Sequence, residues 1–245
     1  MTEFTGSNWA RPEFTQQYRD NADIYIVERQ RMLSIMRSFY RHFLSGRKNN
    51  VLDLGCGDGI ITHNLLEVDN AISATLVDAS SDMLDKARER LRGFRSIDFM
   101  QASFQDIMVK DLPERGYDLV VSSMAIHHLT QDEKKKLFNM IHTRLKPGGF
   151  FLNIDVVIAP AGALEDWYMK IWEEWTDNKR KELGAFDESS SEVIKRYKAA
   201  GENQPDTLDD QLNALKKIGF RDVDCYYKYG IFTVFGGKKQ DTSRS

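Results

Sequence analysis

Apolar residues recur along this chain in two periods, and the switches between them divide it into stretches. Between residues 51 and 155, short apolar runs at 51–54, 74–78, 97–101, 117–122 and 150–155 read as buried strands. Amphipathic segments lie between them, with 82–91 and 131–145 among the helical patterns. Such alternation builds a parallel sheet covered on both faces. Lys146-Pro147-Gly148-Gly149 punctuates the chain just before the fifth strand. Upstream, 13–44 is helical and carries Tyr18, Tyr25, Ile26, Met32, Leu33, Met36, Phe39 and Tyr40. Downstream, 163–200 is helical again, with Tyr168, Ile171, Trp172 and Trp175 on one face beside Trp167. A helix at 208–218 leads through Gly219 into runs at 222–229 and 231–236. These meet at Tyr229-Gly230 and read as an antiparallel pair on the sheet edge. The expected organisation is a helical cap (1–47), a ligand-binding core (48–158), a helical insertion or lid (159–207), and a closing helix and hairpin (208–239).

Composition narrows the picture modestly. A chain of 245 residues suits one α/β domain with appendages. A formal charge of -3 argues against strong generic attraction to phosphate backbones, so no nucleic-acid partner is expected. No apolar run approaches the ~20 residues needed to span a bilayer, and the amino terminus has no signal-peptide pattern. Cys56 lies in a glycine turn and Cys225 in a late strand pattern, which makes a disulfide improbable. The expectation is a cytoplasmic protein without a membrane partner.

The sharpest chemical signal is Val51-Leu52-Asp53-Leu54-Gly55-Cys56-Gly57-Asp58-Gly59, an apolar strand running into three glycines before a helix begins at Ile60. Glycines there let the backbone turn tightly and approach a ligand without a Cβ in the way. Asp78 ends the second strand, where an acid can accept both hydroxyls of a ribose. The spacing is GxGxG rather than the GxGxxG of dinucleotide sites. Asp53 lies two residues before the first glycine, where it would repel a pyrophosphate and attract a cation. The site charge favours S-adenosylmethionine (SAM) over NAD.

These residues resemble the class I SAM-dependent methyltransferases. The 53–59 loop is similar to their first motif and Asp78 to the acid of their second. Tyr117-Asp118-Leu119-Val120-Val121-Ser122-Ser123 is similar to their fourth strand, and Leu145-Lys146-Pro147-Gly148-Gly149-Phe150 to the turn into the fifth. The resemblance implies a Rossmann-like α/β fold: a seven-stranded, mostly parallel sheet with an antiparallel last strand. It also implies SAM as cofactor and S-adenosylhomocysteine (SAH) as product. By resemblance Asp53, Gly55, Cys56 and Gly57 hold the methionine end and Asp78 the ribose, with Ala79 and Met83 beside the adenine. Ser103, followed by Phe104, stands where many relatives place an aspartate against the adenine amino group. Ser122 lines the methionine side through its backbone. Tyr18, Tyr25 and Arg29 sit on a segment that in related enzymes folds over the cofactor, where tyrosine faces suit a sulfonium.

Methyl transfer asks the protein to align three atoms and exclude water, and a base is needed only for a protonated nucleophile. His127 and His128 follow the fourth strand and are candidate catalytic bases; the alternative is that they pack against and cap the cofactor loop. Adjacent histidines with no third ligand evident do not indicate a metal site. Trp167, Tyr168, Trp172 and Trp175 are candidates for a substrate wall, although an aromatic stripe at helical spacing more often marks packing or a homodimer contact. The insertion, with Ile194-Lys195-Arg196, is also similar to carboxy-SAM synthases. By that resemblance Arg196 faces a carboxylate, as its planar fork suits; otherwise it is a solvated helix charge. The expected activity is methyl transfer from SAM to a small-molecule acceptor. Carboxy-SAM synthesis, a SAM-binding protein without catalysis and a dinucleotide oxidoreductase are the alternatives.

Overall fold

A computed structural model describes residues 6–109, 116–184 and 189–241. Its strands are β1 (Asn50–Leu54), β2 (Ser73–Asp78), β3 (Ile97–Gln101), β4 (Tyr117–Ser123), β5 (Leu145–Val156), β6 (Phe220–Tyr229) and β7 (Phe232–Lys239). They form one sheet in the order β3-β2-β1-β4-β5-β7-β6. β1 to β5 run parallel, and β7 pairs antiparallel with both β5 and β6. The expected α/β fold, with seven strands and the odd strand near the end, is what the chain adopts. Because successive residues of a strand face opposite ways, Val51 enters one apolar layer while Leu52 and Leu54 enter the other.

The helices are α1 (Pro12–Tyr25), α2 (Arg29–Phe43), α3 (Ile60–Leu66), α4 (Ser81–Arg90), α5 (Phe104–Val109), α6 (Gln131–Arg144), α7 (Gly162–Leu183), α8 (Ser190–Ala199) and α9 (Leu208–Ile218). The first layer is packed by α2, α3, α4 and α7, the second by α5, α6 and α9. No helix among the described residues is long and apolar enough to cross a membrane.

Three details differ from the pattern reading. The single stretch 13–44 is two helices, broken at Glu28, whose left-handed φ of 53° turns the chain. The break buries Ile26 and Val27, so the apolar period runs straight across it and conceals it. The stretch 163–200 is likewise two helices: α7 ends at left-handed Gly184, and α8 starts from a Ser189–Glu192 capping box. Third, residues 146–149 do not end the strand. The register moves from Tyr117↔Leu145 to Leu119↔Phe150, so they bulge within β5.

In an open α/β sheet, ligands bind beyond the carboxyl ends of the strands where the strand order reverses. Here that point lies between β1 and β4, which places the glycine loop and the two histidines side by side.

Candidate functional site

The loop after β1 is held open by backbone geometry. Gly55 has φ +63°, and a Cβ there would lie 2.5 Å from the Ala125 Cβ, so the loop can approach the turn after β4 only with glycine. Asp78, at the tip of β2, ties the loop down. One carboxylate oxygen accepts from the Gly57 N–H at 2.8 Å and the other from the Ser80 N–H at 2.8 Å. Burial pushes its carboxyl up, and the backbone donors hold it down in part.

Above this loop is a cavity of about 420 Å³. Gly55, Gly57, Asp78, Ala79, Met83, Ser103 and Phe104 all line it, as the sequence anticipates. Ser80, Gln105, Met124, Leu129, Glu133 and Gln204 complete much of the wall. Three carboxylates border it, from Asp78, Glu133 and Glu202, and no lysine or arginine does among the described residues. Such a wall attracts a cation and repels a pyrophosphate.

Several expected residues stand elsewhere. Asp53 is sealed beneath the loop. Its Oδ2 accepts from Thr62 Oγ1 at 2.7 Å, while its Oδ1 has no hydrogen-bond partner. Burial pushes this carboxyl up to about 7, with Thr62 opposing. Cys56 is buried, and its N–H donates to Val77 O at 3.0 Å. Ser122 is also buried and donates to Leu54 O at 2.7 Å; its neighbour Ser123 reaches the cavity instead. Ser103 caps α5 reciprocally with Asp106, donating at 2.8 Å from its hydroxyl and accepting the Asp106 N–H at 3.0 Å.

A second cavity, of about 130 Å³, adjoins the first. Tyr18, Tyr25, Trp172, Arg196 and Tyr197 line it, together with Phe14, Val193, Phe232 and His127. Trp172 is held by an N–H bond to Tyr25 O at 3.0 Å and meets Tyr197 edge-on at 5.2 Å. Arg196 sits 5.7 Å over the Tyr25 ring. Burial pushes the Tyr18 hydroxyl up to about 12. Trp167 and Tyr168 line neither cavity. The buried face of α7 is Met169, Trp172 and Thr176, which leaves Trp167 56% exposed and Tyr168 bonded to Lys228.

Trp9, Met124, His128 and Glu202 border both cavities. Sequence reasoning missed Trp9, Glu202, Asp155 and Tyr197. Glu202 sits in a loop carrying Gly201 and Pro205, and only that punctuation marks the segment. The loop is pinned by buried Lys134, which donates to Gln204 O and to Asp206 Oδ2 at 2.7 Å.

The two histidines differ in what backs them. His127 Nδ1 lies 2.5 Å from Asp155 Oδ1, and its N–H donates to Asp155 Oδ2 at 3.0 Å. Asp155 is fully buried and also accepts from Val156 N and Asn153 Nδ2. Burial alone would raise its carboxyl, yet His127 and these donors hold it below the usual range. A carboxylate only accepts, so His127 Nδ1 is the donor of this contact. His128 Nδ1 instead faces Glu202 O at 3.2 Å, and its buried Nε2 has no partner. Burial and the neighbouring His127 push His128 down to about 3. Among the described residues no cluster of acidic, histidine or cysteine groups could hold a metal ion.

Comparison with known proteins agrees with this geometry. A family model described as "Methyltransferase domain" matches residues 51–149. The chain is 23% identical over 206 residues to a carboxy-S-adenosyl-L-methionine synthase from Nautilia profundicola, covering 83% of this chain and 82% of that one. Among solved structures it resembles an O-methyltransferase family protein from Burkholderia thailandensis, with a TM-score of 0.66 and 14% identity, covering 98% of this chain and 64% of that one. It also resembles human N-acetylserotonin methyltransferase in complex with SAM, with a TM-score of 0.54 and 19% identity, covering 94% of this chain and 59% of that one. The chain thus spans less than two thirds of either solved relative, and at these identities the likeness shows the fold.

Proposed function

With residues 51–149 belonging to the methyltransferase-domain family, whose methyl donor is SAM, we propose that this chain transfers a methyl group to a small acceptor held in the second cavity. The observation that carries the proposal is the pairing of an acid-walled cavity on the glycine loop with an aromatic cavity beside it. An apolar cavity of about 150 Å³ accommodates benzene, so a space of about 130 Å³ suits an acceptor group the size of one ring. That size argues against a folded macromolecule at the reacting end.

The residues of the first cavity fit the donor. Asp78 stands where a ribose diol would meet it. The unpartnered Asp53 Oδ1, sealed beneath the loop, is an acceptor that reaches an ammonium only through a bridging water. Gly57 leaves open space where a side chain would otherwise stand. When bound, the cofactor supplies an activated methyl on a positive sulfur that leaves as a neutral thioether.

The chain's own contribution is alignment and proton handling. Trp9, Tyr18, Trp172 and Tyr197 wall the acceptor in and exclude water. His127 is the better candidate base, because a proton taken on Nε2 makes an imidazolium that Asp155 stabilises at 2.5 Å. His128 is held neutral and offers Nε2 as a hydrogen-bond acceptor that orients an O–H or N–H. Release of SAH from SAM with a panel of ring-sized acceptors tests this proposal; tight SAM binding with no turnover on any of them would favour a binding protein instead.

One observation favours a second reading. Arg196 borders the second cavity, and a guanidinium suits a carboxylate. That fits a carboxylated SAM as well as an acceptor bearing a carboxylate. The mass of whatever cofactor the purified protein retains separates the two.

A further inference from the structure

The sulfur centre of the donor is positive before transfer and neutral afterwards, so at neutral pH SAM carries a net charge of about +1 where SAH carries about 0. Given the proposed roles of the two cavities, on which this inference rests, the methyl must cross where they meet. Trp9, Met124, His128 and Glu202 border that junction. We propose that Glu202 reads the charge of the sulfur centre there, favouring the methylated donor and loosening the hold on the demethylated product.

The three acids of the first cavity are not equivalent. Asp78 commits both oxygens to the backbone N–H groups of Gly57 and Ser80. Glu133 commits both to the α6 cap and Gln105: one accepts from the Thr130 N–H and hydroxyl, the other from Gln105 Nε2 at 3.0 Å. Glu202 borders both cavities and uses Oε1 to accept from the Asn8 N–H at 2.9 Å. Its Oε2 accepts no hydrogen bond among the described residues, so this carboxylate is the least committed of the three and belongs to both walls.

One basic side chain shares a wall with it: Arg196 lines the second cavity, 5.7 Å over the Tyr25 ring. No lysine or arginine lines the first cavity among the described residues. His128, its neighbour at the junction, is held neutral by burial, and its unpartnered Nε2 presents a lone pair rather than a proton. The Trp9 ring, 5.6 Å from the His128 ring, adds an aromatic surface that also favours a cation. A carboxylate, a lone pair and an indole thus converge where a positive sulfur would sit, and each loses its attraction once that charge has gone. The segment is firmly placed for this role, because Lys134 anchors Gln204 and Asp206 just beyond it.

Calorimetric titration of wild-type protein and Glu202→Gln with SAM and with SAH tests the proposal. Glutamine keeps an oxygen for the Asn8 N–H and removes only the charge. SAM affinity should fall about tenfold while SAH affinity changes less than about twofold. Glu202→Asp, which keeps the charge, should retain most of the wild-type preference and serves if the glutamine variant melts early. An equal loss for both ligands would mean that Glu202 merely holds the loop, and no loss for either would mean that it does not sense the sulfur; each overturns the inference. Wild-type protein that binds neither ligand would instead overturn the methyltransferase reading beneath it.

Discussion

The two cavities share four residues and differ in almost everything else. The first is built from consecutive turns at the carboxyl ends of β1 to β4, with a backbone fixed by glycines and by Asp78. The second is assembled from side chains contributed by α1, β5, α7, α8 and β7, and its buried His127 is backed by Asp155 behind the wall. The first is walled by three carboxylates, whereas the second is walled mainly by aromatic rings. The first cavity is thus built by the sheet and its turns, and the second largely by helices outside the sheet.

The sharpest way to separate them is to damage one and watch the other. Asp155→Asn leaves the histidine ring in place but removes the charge that supports it. It should lower kcat by about 10² to 10⁴-fold and shift the acid limb of the kcat profile to lower pH. SAM affinity by calorimetry should stay within about twofold, and a matching loss of SAM binding would break the division. Gly55→Ala should act in the opposite sense. Its Cβ meets Ala125 and its φ is left-handed, so about 2–4 kcal/mol of strain is expected. That strain should be visible as a lower Tm together with weakened SAM binding.

Asp78→Ala should weaken SAM binding by more than about 1.5 kcal/mol, the scale of a charge-assisted hydrogen bond. Unchanged affinity would remove Asp78 from the ribose role. A further effect concerns pH. His128 is held at about 3 in the folded protein, against about 6.5 for an unfolded histidine. The unfolded chain therefore binds the extra proton between these values, and stability from this group is lost as pH falls from about 6.5 toward 3, by up to about 1.4 kcal/mol per unit. Denaturant midpoints measured across that range should fall less steeply in His128→Asn; an identical slope would return His128 to an ordinary exposed environment.

The same contrast governs what the sequence disclosed. The glycine loop, Asp78 and the strands were legible because tight turns demand glycine and buried parallel strands demand continuous apolar runs. Residues contributed by successive β–α turns therefore fell together in the first cavity. The second cavity was mostly illegible because its walls converge only in three dimensions. Trp172 is turned inward and Trp167 outward by the phase of α7, in keeping with the face that periodicity gave to Trp172. Asp155 read as one more strand residue until the fold put it 2.5 Å from His127. Glu202 lies in a loop whose position depends on a Lys134 contact some 70 residues away in sequence. The breaks at Glu28 and Gly184, which shape the cap and insertion, were hidden by apolar patterns that continued on either side.

The central claim is that the first cavity is built for a cationic sulfur nucleoside rather than a dinucleotide, and paired titrations with SAM and NADH test it most directly. Saturable SAM binding in the micromolar range is expected, with no measurable binding of NADH, whose pyrophosphate would meet three carboxylates and no basic side chain among the described lining residues. NADH binding as tight as or tighter than SAM would contradict it.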